Sequence, residues 1–361
     1  VKIVLSYPEV DRAQGAEHFT NFLLWGKTAD EWDWRDRGVV IFLGGDQFFP
    51  VVIGKRLGYR TVIYAEWEAR WHSLIDRFVV MNESVTAKVK PEYAHKFTVV
   101  GDLMLESQTE DKYLSSSTSS NLQIGILPGS KAAKLAMGLP LTLAIAEDLH
   151  KRYPSAKFGI PVAPTLDPET LASYADPSHN PVIPLVQGAT ATLERGEYLY
   201  LKTSKGVEVE LRTEFPAYDW LAQCTLCFTT IGANTAELGA LGVPMIVLLS
   251  TQQLDAMRAW DGVLGILANL PLVGTPIAKI INWVALRSIQ GRKLAWPNIW
   301  ANQQEIVPEL VGRLEPQQVA AFAIDYLEQP EKLAQMRAQL RQLRGEPGAA
   351  AKLAAIVAEL G

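Results

Sequence analysis

The sequence is short of the residues that hold metals and disulfides. Among 361 residues there are two cysteines and five histidines. Cys224 and Cys227 are spaced C-x-x-C in CTLC, a spacing used by zinc and redox sites. Zinc takes about four ligands, yet there is no second cysteine pair and the histidines are scattered. A redox pair belongs at a strand-to-helix turn, whereas QCTLCFTT reads as a strand interior. Both cysteines are therefore expected to be small core residues in a reducing compartment. No stretch approaches the ~20 uninterrupted apolar residues of a membrane helix. Basic charge is not in excess either: 34 Lys and Arg face 39 Asp and Glu, a net charge of −5. That balance argues against a nucleic-acid binder working through bulk positive charge.

What is present points to a packed α/β protein. Hydrophobic residues make up 48% and charged ones 20%, enough for a sizeable core, and the length suits two domains. Apolar β-type runs recur at 39–44, 61–65, 77–82, 97–101, 123–129, 156–163, 225–230 and 244–250. Helical-period segments lie between them, among them 48–58 and 136–153. This alternation predicts parallel sheets covered on both faces. The polar, Ser-rich stretch SQTEDKYLSSSTSSN at 107–121 reads as a linker. It divides a first domain (1–107) from a second (122–314), with 108–121 joining them. A β-hairpin turning at SKG is expected over 194–212. A helix-rich tail, 315–361, is expected to pack back across both domains, and its last part reads as two helices broken at GEPG.

Two strand-to-helix turns could carry chemistry. In ILPGSKAAK, Gly129 permits close backbone approach, Ser130 offers a hydroxyl and Lys131 a point charge for phosphate. An ordinary βα turn with an exposed lysine is the competing reading, since PGSK is not the P-loop pattern. In FTTIGANTAELGALGVP, the strand ends at Thr230, Gly232 forms the turn, and Asn234 and Thr235 open the helix. Open N–H groups there suit a diphosphate. Glu237 stands where a carboxylate could accept hydrogen bonds from a ribose, or could simply complement a helix dipole.

With a third stretch, KLAWPNIWANQQEIVPELVG, these motifs resemble the lipid A disaccharide synthase family. That family carries an LPGSR-type loop, a GTATLEA turn followed by GVP, and an LPNxLAG…PELL stretch. The resemblance spans roughly residues 38–325 and is closest in the second domain. It implies a GT-B fold, two Rossmann-like domains facing a cleft. It also implies an inverting transferase that moves an acylated glucosamine from UDP to a glycolipid acceptor. Gly129, Ser130 and Lys131 would then approach the diphosphate, Thr230, Gly232, Asn234 and Thr235 would hold phosphate, and Glu237 would hold the uridine ribose. Asn298 and Glu305 would line the cleft.

The sequence departs from the family pattern. Lys131 replaces an arginine, Ala233 replaces a threonine, and AEWEARW (65–71) replaces SPSVWAW on the acceptor side. A Rossmann-like half holds about five or six strands, and residues 1–38 are too few for those before Val39. The first domain is therefore expected to lack its opening segment. An inverting transfer needs a base. Asp46, in GGDQFF, is the first candidate, with a helix-capping role as its alternative. Glu66, at a strand C-terminus, is the second. No metal and no cofactor is indicated. The segment 276–300 interleaves Trp283 and Trp296 with Lys279, Arg287, Arg292 and Lys293. It suits either a membrane surface or a packed helix with snorkelling stems. A peripheral location on the cytoplasmic face of the inner membrane is expected, and a homodimer is compatible with the tail. The competing readings are another envelope glycolipid transferase, a UDP-sugar epimerase, and a non-catalytic UDP-sugar-binding scaffold.

Overall fold

The computed structural model describes residues 1, 3–87, 89–104, 122–252, 291–344 and 348–361. The expected linker, the break at 345–347 and the basic segment up to residue 290 lie outside the described residues. The chain divides into two compact units, residues 1–107 with 345–361, and residues 108–344. The C-terminal tail is thus divided: its last helix, Ala349–Leu360, belongs to the first unit.

Unit 1 is built on a parallel sheet in the order β1 (Val39–Phe42), β2 (Arg60–Ala65), β3 (Arg77–Val80) and β4 (Phe97–Val99). Two helices, α1 (Phe19–Trp25) and α2 (Phe48–Leu57), accompany it. Strands β2 and β3 are apolar almost throughout, and Ile63, Phe78 and Val80 pack with Val51 of α2 as the core. Such continuous apolar strands are what a parallel sheet covered on both faces requires. The strand ends carry the polar work. Tyr64 reaches across to the loop after β4, donating to the Gly101 carbonyl and accepting from the Leu103 N–H, both at 3.2 Å.

Unit 2 holds an eight-stranded sheet in the order β12-β11-β10-β5-β6-β9-β8-β7. In chain order the strands are β5 (Gln123–Leu127), β6 (Lys157–Pro161), β7 (Ala191–Arg195), β8 (Leu199–Thr203), β9 (Glu208–Arg212), β10 (Leu226–Thr230), β11 (Met245–Ser250) and β12 (Glu309–Gly312). From β12 to β9 all neighbours are parallel, while β8 and β7 are antiparallel additions at one edge. The expected hairpin is present as β8–β9, and β7 adds a third strand to it. The four-residue β12 carries no long apolar run and was not anticipated.

The chain leaves β5 toward β6 on one side and later fills β10, β11 and β12 on the other. The strand order therefore reverses between β5 and β10, the point where open α/β sheets form a crevice at the strand C-termini. Helix α3 (Ala132–Arg152) follows β5 and is apolar on most of its faces, because it lies buried between sheet and surface helices. Pro140 sits inside it and cannot donate to the Ala136 carbonyl. The Asn180 side chain fills that vacancy at 2.8 Å. A short helix α4 (Pro168–Ser173), α5 (Tyr218–Leu221), α6 (Ala233–Ala240), α7 (Trp296–Trp300), α8 (Pro316–Leu327) and α9 (Pro330–Arg344) complete the described helices of this unit. Unit 1 is thus an α/β body on a parallel sheet, and unit 2 one on a sheet that is parallel except at the β8–β7 edge. Cys224 and Cys227 are free and fully buried, as expected of core residues.

Candidate functional site

The reversal point brings the two motif turns together. Residues 128–131 connect β5 to α3, and Ile231-Gly232 connects β10 to α6. Gly129 (φ +96°) and Gly232 (φ +139°) occupy backbone regions that only glycine visits readily. Their missing side chains also matter for space. A Cβ at Gly129 would stand 3.0 Å from Lys134 Cδ and 3.3 Å from Thr230 Oγ1, and one at Gly232 would stand 3.0 Å from Lys134 Nζ. Neither helix begins with a side-chain cap. The Lys134 and Thr235 N–H groups bond back to the Lys131 and Gly232 carbonyls. Those of Ala132, Ala133, Ala233 and Asn234, at the two helix starts, lack an intrahelical acceptor, and an anion is the acceptor that the helix dipoles favour.

A pocket of about 300 Å³ opens beside these turns. Gly129 and Ser130 line it from the first turn, Asn234 and Glu237 from α6, and Glu214 and Phe215 from the loop after β9. The Asn234 amide donates to the Leu127 carbonyl at 3.5 Å, bridging the two turns. Glu237 is half-buried, and among the described residues its carboxylate makes no hydrogen bond or ion pair. Burial alone raises its pKa above the ordinary glutamate value. A partly desolvated carboxylate aimed at a pocket is unfavourable unless a ligand supplies donors. A smaller cavity of about 90 Å³ lies on the other side of the crossing, lined by Lys134, Met137, Thr230 and Leu248.

Three residues expected at the site are occupied elsewhere. Thr235 is fully buried; its hydroxyl donates to the Gly232 carbonyl at 2.9 Å and accepts from the Trp296 N–H at 3.1 Å. It shapes the turn and does not line the pocket. Asn298 is likewise fully buried. Its amide donates to Val307 O (2.8 Å) and Glu309 Oε1 (2.7 Å), and its oxygen accepts from the N–H groups of Ile306 (2.6 Å) and Val307 (2.9 Å). Those four bonds use its whole capacity, so Asn298 locks the 291–309 segment and has nothing left for a ligand. Glu305 is exposed and paired with Lys293, away from the pocket lining.

In unit 1 the two candidate bases sit differently. Asp46 is exposed and accepts from the Phe48 N–H at 2.9 Å at the start of α2, with Arg70 at 3.8 Å. This is an Asx turn leading into the helix, whose cap position is Gln47. Glu66 is half-buried just past β2, and burial first, then the charge of Asp102, raise its pKa. Asp102 was not singled out in the sequence; it enters because the loop after β4 lies one strand beyond Glu66's own neighbour.

Comparison with known proteins agrees with the motifs. No protein-family model matches the chain. The lipid-A-disaccharide synthase of Geobacter sulfurreducens is 24% identical over 241 residues, 66% of this chain and 48% of that protein. Its counterpart in Anaeromyxobacter sp. (strain K) is 27% identical over 239 residues, 65% of this chain and 48% of that one. The chain is similar in sequence to the lipid-A-disaccharide synthases. It spans about half the length of the curated synthases that it matches. Among solved structures, Acinetobacter baumannii MurG aligns with a TM-score of 0.46 and 12% identity over 89% of this chain and 73% of its own. The UDP-GlcNAc 2-epimerase from Neisseria meningitidis, bound to UDP-GlcNAc, gives 0.46 and 15% over 90% and 76%.

Between the two turns, and lining the smaller cavity, lies a residue outside the synthase-like loop motif. Lys134, three residues past Lys131, directs its amine to the Ile231 carbonyl, tying the start of α3 to the turn before α6. The PGSK motif ends at Lys131 and does not reach Lys134. The available signal was a lysine in the first turn of a helix, where the macrodipole disfavours a cation.

Proposed function

We propose that unit 2 binds a UDP-linked sugar and that the chain serves the transfer of an acylated glucosamine unit from UDP to a glycolipid acceptor, with inversion, as in lipid A disaccharide synthesis. The observation that carries this reading is the convergence of two uncapped helix starts, near Gly129 and Gly232, beside a pocket containing Glu237, whose carboxylate has no partner among the described residues. Ser130, Asn234 and the open backbone N–H groups, with Lys131 nearby, offer donors for a diphosphate. Glu237 accepts the ribose hydroxyls, which explains a desolvated carboxylate in an otherwise Ala-, Leu- and Gly-rich helix. The sequence similarity to lipid-A-disaccharide synthases supports the sugar and acceptor classes.

Unit 1 supplies the candidate proton acceptors. Of the two, Glu66 suits a general base better than Asp46, because a raised pKa strengthens a carboxylate as a proton acceptor. Asp46 already serves the start of α2. A glycolipid acceptor places the protein on the cytoplasmic face of the inner membrane as a peripheral protein. No helix among the described residues is long and apolar enough to cross a membrane. The reaction is tested by incubating the chain with a UDP-linked diacylglucosamine and an acylated glucosamine 1-phosphate. Acceptor-dependent release of UDP with formation of a β-linked disaccharide is expected. UDP-sugar binding without any transfer would reduce the chain to a nucleotide-sugar-binding scaffold.

A further inference from the structure

We propose that Lys134 is the cation that meets the diphosphate of the bound nucleotide sugar, an assignment that rests on the nucleotide reading of unit 2. Its placement is otherwise hard to account for. It lies in the first turn of α3, where the helix dipole opposes positive charge. It is half-buried, and its amine meets no carboxylate among the described residues. An ammonium has three N–H donors; one is given to the Ile231 carbonyl, and the other two have no partner among the described residues. Burial, and after it the charge of Lys131, hold the Lys134 amine below the ordinary lysine range.

The geometry says where the missing acceptor belongs. Gly129 and Gly232 are the two residues whose side chains would crowd Lys134, one at its stem and one at its amine. With glycine at both, the Lys134 side chain lies between the two turns. An anion resting on the open N–H groups of α3 and α6 would lie next to its amine. It would offset the dipole, the repulsion from Lys131 and the desolvation together. Lys131 itself is exposed at the helix cap. It is the poorer anchor, because charge in high dielectric contributes less.

The test uses calorimetry with UDP and with uridine on the full chain and on Lys134→Met, Lys134→Arg and Lys131→Met. The expected result is a loss of tenfold or more in UDP affinity for Lys134→Met, with uridine affinity within twofold of wild type. Lys134→Arg should recover part of the loss, and Lys131→Met should lose less than Lys134→Met. If wild type binds UDP and Lys134→Met binds it equally well, or if UDP and uridine weaken together, the Lys134 assignment is overturned and the nucleotide site stands. If wild type binds neither ligand, the nucleotide reading fails and the assignment with it. Should Lys134→Met not fold, lysine acetylation of the wild type followed by mass spectrometry decides. UDP, and not uridine, should shield Lys134, and equal labelling with and without UDP would overturn the assignment.

Discussion

The Asn298 side chain donates to the Glu309 carboxylate at 2.7 Å, and the same carboxylate accepts the backbone N–H groups of Leu294 and Ala295. This pair fastens the 294–298 segment to β12, and β12 to the sheet edge beside β11. A motif position that invites a ligand is therefore taken by the fold.

Replacing Asn298 by alanine should accordingly act on stability. Four buried bonds lose their partner, and several backbone groups are left unsatisfied, at a cost of about 2–4 kcal/mol. Urea unfolding measures this directly. UDP affinity per folded molecule should stay within about twofold; a selective loss of UDP binding in a normally stable Asn298→Ala would return the residue to the site.

Glu237 predicts a conflict between stability and binding. Its pKa is raised in the folded chain by burial, so the folded state keeps this proton to a higher pH than the unfolded state does. Stability therefore falls as pH rises from the ordinary glutamate value of 4.5 through the raised one. Glu237→Gln, which removes the charge, should melt higher than wild type at neutral pH, and the difference should shrink to nothing in acid below the unfolded pKa. Thermal melts of the two proteins at several pH values check this. An advantage for Gln that grows toward acid would contradict it.

For Glu66, Gln substitution should lower the rate of sugar transfer by about 10²-fold or more, as loss of a general base does, while UDP affinity is unchanged. The same change should raise stability at neutral pH, since burial and Asp102 both oppose its charge. Asp46→Asn should affect the start of α2 more than transfer. Steady-state kinetics of both variants separates the two carboxylates.

The cysteines should be inert. Both are fully buried, and burial foremost raises the Cys227 thiol well above its ordinary value. Thiol reagents should label neither residue in the folded chain and both on unfolding. Rapid labelling under native conditions would revive a redox role for CTLC.

The parallel-sheet pattern was legible because buried strands announce themselves as apolar runs: β3, β5, β10 and β11 fall within the stretches read from the sequence, and β2 begins one residue before its own. Helix α3 begins four residues before its expected start, since AAKL carries no apolar period and is helical through its place after β5. β12 was missed because ELVG is too short to show a period. The two glycine turns were legible for a physical reason, as positive φ restricts residue choice. Thr235, Asn298 and Lys134 were not. Whether a polar side chain faces a pocket or a neighbouring backbone depends on contacts made only in the fold, some near in the chain, such as Asn298 with Val307, and some distant, such as Thr235 with Trp296. Spacing alone does not carry that information.

The central claim is that Glu237 holds a nucleotide in unit 2. Calorimetry of UDP against the wild-type chain and Glu237→Ala tests it most directly. The account predicts binding by the wild type that the substitution weakens tenfold or more, about 1.4 kcal/mol or greater. Equal binding by both proteins, or none by a folded wild type, would contradict it.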